Sequence, residues 1–129
     1  MANRILAGYP NYVGDKIEMI IDHDGPVSYL NTGTFATSGD QINASDLGLG
    51  GIEFIDEVDI SSDDVNAVSI VPGATVAGAS NLQPAPATSP GPVPTSAVLH
   101  WQTTPFGGTE VANGVNLSSK YVRLFIRGV

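Results

Sequence analysis

Nowhere in this chain do apolar residues keep a helical spacing for more than one turn, and that constrains its fold more than any other feature. They alternate instead. In KIEMIID, residues 16 to 22, Ile17, Met19 and Ile21 share a face, and in the closing KYVRLFIRGV the aliphatic Val122, Leu124 and Ile126 alternate with Tyr121, Arg123, Phe125 and Arg127. Fifteen glycines and nine prolines punctuate the 129 residues, a density that suits short strands joined by turns. We read about eight short strands: 16–22, one or two around Asn31 to Gly33, 52–60, 65–71, 97–101, a short one at Glu110 and Val111, and the last ten residues. The fold class expected is all-β, a β-sandwich of jelly-roll-like type.

Local signals refine this layout. HDGP after the first strand reads as a turn. NASDLGLGG reads as a single helical turn, capped by Asn43 or Ser45 and stopped by its glycines. In IEFIDEVDI, Ile52 and Phe54 fall on one face, and a bulge near Ile55 is needed to restore the phase for Val58 and Ile60. Residues 1–14 read as an irregular N-terminal arm with Tyr9 and Tyr12 as possible anchors, preceding one domain over 15–129. Within that domain a loop spanning 80–96 holds five prolines between 84 and 94. Eleven residues of polyproline-like chain at about 3.1 Å each reach roughly 34 Å, enough to cross one end of a small domain or reach a neighbour.

Charge narrows the function. The net charge is −8, and all five basic residues, Arg4, Lys16, Lys120, Arg123 and Arg127, lie near the ends, while twelve of the thirteen acids lie between Lys16 and Lys120. Such a balance repels nucleic acid and anionic membrane, so neither is expected as a partner. There is no cysteine, hence no disulfide and no thiolate chemistry. The first residues lack the apolar stretch of a secretory signal, and no run approaches a membrane span.

Signatures of catalysis are weak. DEVDISSDD, 56 to 64, lacks the order of a helix-loop-helix calcium loop, and Asp56, Asp59, Asp63 and Asp64 read better as a solvated face than as ligands. His23 reads as a solvated turn histidine and His100 as a partly buried strand histidine. There is no G-x-S-x-G elbow, GLGG at 48 to 51 has no phosphate-loop lysine, and the sequons at Asn43 and Asn116 matter only in a secreted protein. No catalytic residue, cofactor or metal ligand is assigned.

The run GPVSYLNTGTFATSGDQINASDLGLGGIEFID and the closing GTEVANGVNLSSKYVRLFIRGV carry a resemblance, over residues 25–57 and 108–129, to small virion proteins of tailed bacteriophages, in particular capsid decoration (cement) proteins. The shared pattern is a G-P turn, a polar stretch, DLGL leading into IEFI, and a terminal strand that ends in glycine. That resemblance implies a non-enzymatic β-sandwich or jelly-roll protein, made in the host cytoplasm and placed on the virion exterior. It would associate as a homo-oligomer, a dimer or trimer, and bind the major capsid protein to bridge capsomers. If the chain ends are neighbours, Arg4, Lys16, Lys120, Arg123 and Arg127, with Tyr121 and Phe125, form a cationic and aromatic interface on an anionic body. Two alternatives are another phage structural subunit, of tail or head fibre, and a carbohydrate-binding module that stacks sugars on Trp101 and on Tyr9, Tyr12, Tyr29 or Tyr121.

Overall fold

A computed structural model describes residues 3–60, 68–72, 93–103 and 109–129. The fold is all-β. Its strands are β1 (Asn3–Ile5), β2 (Asn11–Val13), β3 (Lys16–Asp24), β4 (Asp40–Asn43), β5 (Ile52–Ile60), β6 (Val68–Pro72), β7 (Ser96–Trp101) and β8 (Tyr121–Gly128). All pairings are antiparallel: one sheet has the order β1-β3-β8-β5, with β2 also on β3, and the other has the order β4-β7-β6. Among the described residues no helix is long and apolar enough to cross a membrane.

The alternation read in the two best strands sets the core. Met19 and Ile21 of β3 and Val122, Leu124 and Ile126 of β8 point inward, where they meet Ile42 of β4 and Ala97, Leu99 and Trp101 of β7. All six residues of β7 are buried, so both faces of this strand are covered. Its inner residues fill the core. On its outer face, the loop that ends at Gly39 lies against Val98 and His100. Gly39 has φ +118, and a Cβ there would stand 2.3 Å from Val98 Cγ1.

Several expectations are corrected. β3 continues through Asp24, so His23 belongs to a strand and the turn begins at Gly25; the reason is that His23 keeps the inward phase of Ile17, Met19 and Ile21 and pairs with Val122. Asn31 to Gly33 form no strand. The Asn31 side chain accepts from the Gly33 backbone N–H (2.9 Å), a local turn that competes with ladder pairing, and the extended segment here is β4, which begins at Asp40. The helical turn exists at Ala44–Leu47 and is closed by Gly48 at φ 74, but Asn43 provides no side-chain cap. Its Oδ1 accepts from Gln41 Nε2 instead (2.6 Å).

In β5 the register shifts twice, between Ile52 and Phe54 and between Glu57 and Asp59, rather than once near Ile55. The first shift turns Ile52 inward and Phe54 outward, where it is 45% exposed. Residues 3–13 are not irregular throughout: β1 and β2, separated by residues 6–10, are two halves of a broken edge strand on β3, and β2 is joined to β3 by a two-residue hairpin with Gly14 at φ 65. Glu110 makes only an isolated bridge to Gln102. The strand expected at 65–71 is β6 from residue 68, and its first three residues, like most of the 80–96 loop, lie outside the described residues.

Gly39→Ala, which forces a Cβ into Val98 at a backbone angle that side chains disfavour, is expected to destabilise the fold by about 1–3 kcal/mol. The shift of the urea midpoint measures it.

Candidate functional site

Two groups of chemistry-bearing residues stand out, one buried and one exposed. The buried group begins at His23, 2% exposed, on the inner face of β3. Its Nε2 lies 2.7 Å from Asp40 Oδ2 on β4, and its Nδ1 lies 2.6 Å from the Asn3 side-chain oxygen on β1. Asp40 Oδ2 also accepts from Trp101 Nε1 at 3.2 Å. The Asp40 carboxylate therefore joins the two sheets.

From Trp101 the network continues. Its backbone N–H donates to the Tyr29 hydroxyl (3.2 Å), and that hydroxyl donates to Glu110 Oε2 (2.6 Å). The same oxygen lies 3.0 Å from Nδ1 of His100, which is 3% exposed and stacked on Phe35 with ring centroids 3.8 Å apart. Burial, and then donation to Glu110, pushes the Tyr29 phenol far above its ordinary value of 10.0. Both histidines are thus more deeply buried than their sequence neighbours suggest, and each faces one carboxylate. Among the described residues no three His, Asp or Glu side chains are grouped to hold a metal ion.

Local chemistry explains the placement. β4 ends opposite Leu99, which leaves the edge of β7 beyond that point open. Val111 N–H bonds to the Trp101 carbonyl (2.9 Å) there, and the loops around Tyr29 and Val115 lock together through Tyr29 N–H to Val115 O (2.9 Å) and Gly114 N–H to Tyr29 O (2.8 Å). Those backbone bonds hold Tyr29 and Glu110 at the strand end. Sequence reading did not single out Asn3, Asp40 or Glu110. The available signal was that His23 extends the i, i+2 series of the core face.

The exposed group is the outer face of the larger sheet. It carries Arg4 of β1, Lys16 of β3, and Tyr121, Arg123, Phe125 and Arg127 of β8, so six of the seven interface residues read from the sequence come together; Lys120 sits in the turn before β8. This face is not a lone cationic patch. Arg123 makes a bidentate pair with Asp22 (2.7 and 3.0 Å), Arg4 bonds Asp24, Lys16 bonds Glu53, and Arg127 lies 3.8 Å from Glu53. Aromatic rings sit among the charges. Phe54 packs edge-on against Phe125 at 6.0 Å, Arg127 lies over Phe54 at 6.0 Å, and Arg4 lies over Tyr121 at 5.7 Å. The Arg4 guanidinium holds the Asp24 carboxyl below its usual range. That pairing stabilises the fold above about pH 4 and is lost on further acidification; at this exposure it contributes less than about 1 kcal/mol.

Comparison with family models, with curated proteins and with solved structures returns no match.

Tyr29→Phe leaves the Trp101 N–H unmet and removes one donor from Glu110, and is expected to destabilise the protein by about 1–3 kcal/mol at neutral pH. A phenol raised in the folded state stabilises fully below pH 10 and progressively less above it. Urea titrations followed by circular dichroism are expected to show a loss of wild-type stability above pH 10, with a smaller loss in Tyr29→Phe.

Proposed function

We propose that this protein is a structural virion subunit of a tailed phage. It binds the outer surface of the capsid as a homo-oligomer, stabilises the shell by bridging capsomers, and acts by contact rather than turnover. One observation supports the reading: on the outer face of the larger sheet, arginines and aromatic rings interleave with carboxylates. Such a mixture of Arg, Tyr and Phe on an ordered backbone provides the anchors that dominate protein–protein contacts.

The histidine–carboxylate chain supports the same reading. His23 and His100 are shielded from solvent and held by partners whose positions tie loops and sheets together, a stabilising arrangement for a protein that works by shape. The strongly acidic composition suits an exterior position away from packaged DNA. A sugar-stacking role for Trp101 or Tyr29 loses its basis, because both rings are fully buried.

The test is occupancy on capsid shells assembled from a tailed-phage major capsid protein. Saturable co-sedimentation at hundreds of copies, with a raised temperature of shell rupture, is expected. A handful of copies per virion would instead assign a tail or head-fibre role, and an absence of binding would overturn the capsid reading.

A further inference from the structure

The register of β3 with β8 arranges the outer face in two adjacent columns of opposite character. On β3 the outward residues are Lys16, Glu18, Ile20, Asp22 and Asp24; directly across from the last four, on β8, stand Arg127, Phe125, Arg123 and Tyr121. From Glu18 onward the β3 column is acidic with a single aliphatic residue. The other is cationic and aromatic.

We propose that this face is the interface between two copies of the chain, related by a two-fold axis that runs between β3 and β8 parallel to the strands. That rotation lays the β3 column of one copy over the β8 column of the other. Glu18 then meets Arg127 of the second copy, Ile20 meets Phe125, Asp22 meets Arg123, and Asp24 meets Tyr121. Each Asp22–Arg123 pair becomes part of a four-membered ring of alternating charge, and the Ile20–Phe125 rung supplies an apolar centre. An in-plane axis across the strands through that rung would do the reverse. It would set Asp22 on Glu18 and Arg123 on Arg127, like on like, and leave Asp24 on Lys16 as its one pair of opposite charge. The charge pattern therefore selects one axis of the two.

Net charge points to the same face. Each copy carries −8, so most surfaces of two copies repel. Four of the five basic residues lie here, Arg4, Lys16, Arg123 and Arg127, against the carboxylates Glu18, Asp22, Asp24, Glu53 and Asp56. Two copies meet at this near-neutral face without the repulsion carried elsewhere. Its size is adequate. Four strand positions about 4.8 Å apart, one of them the broken β1–β2 edge, over about eight residues at about 3.3 Å each project at most roughly 500 Å². Because the corrugated accessible surface exceeds its projection, this approaches the roughly 800 Å² per partner of a standard interface.

This inference deepens the homo-oligomer part of the capsid reading and rests on that reading only for its purpose: the outer face of the larger sheet is closed between the two copies, so the pair meets the shell through its other surfaces and bridges capsomers through avidity. The pairing itself is measured with no shell present. Sedimentation velocity of the purified full chain is expected to give a dimer that dissociates as salt rises. Glu18→Arg and Arg127→Glu each place like charges face to face twice per dimer and are expected to weaken it about a hundredfold or more. Mixed in equal amounts, the two variants restore opposite charges at every contact, and a dimer is expected to return. That rescue also separates lost complementarity from misfolding, since a misfolded variant is not repaired by its counterpart. A monomeric wild type, single variants that dimerise normally, or a mixture that stays monomeric would each overturn the two-fold interface.

Discussion

The eight-residue antiparallel pairing of β3 with β8 is the constraint on which the rest of the structure depends. It aligns Met19 with Ile126, Ile21 with Leu124 and His23 with Val122 on the inner side, and thereby fixes the floor of the core. The same pairing sets Asp22 beside Arg123 and Ile20 beside Phe125 on the outer side. Because side chains alternate with a period of two, a slip of one residue would expel the core and bury the charges. The bidentate bond between Asp22 and Arg123, which lie directly opposite, reinforces the register. Core and assembly face are two sides of one alignment.

The second organising feature is the hydrogen-bonded chain from Asn3 to His100. A sandwich end is where backbone groups run out of ladder partners, and here side chains take their place. Tyr29 receives the Trp101 N–H, Asp40 receives the indole N–H, and Glu110 receives the Tyr29 hydroxyl. Each of these polar groups is satisfied by another, so burial carries little penalty while the loss of one member leaves its neighbour stranded. The two loops that meet at Tyr29 and Val115 are thereby made part of the folded body.

Much of the fold was legible in the residues, and the reasons are local. KIEMIID and KYVRLFIRGV alternate so cleanly that strand, face and core position follow from period alone, and DLGLGG announces its turn through glycine at a left-handed angle. What could not be read depends on contacts distant in sequence. The strand pairing of residues 3–13 was hidden because Gly8 and Pro10 break the pattern midway, although the halves on either side still pair with β3. Alternation alone puts Phe54 on the face of Ile52, because the register shift at Glu53, two residues before Ile55, leaves no mark on hydrophobic alternation. At the candidate site, the clustering of the basic residues near β3 and β8 was visible, whereas their carboxylate partners were not. Asp22, Asp24 and Glu53 sit in strands whose neighbours only the sheet order reveals.

Trp101 is the chain's single tryptophan, and it lies fully enclosed where the two sheets meet, its indole bonded to the carboxylate that bridges them. Its emission is therefore a built-in optical gauge of the seam between the layers. Parting of the sheets admits water to the indole and shifts its spectrum to the red, while events confined to the solvent side of the larger sheet leave the signal unmoved.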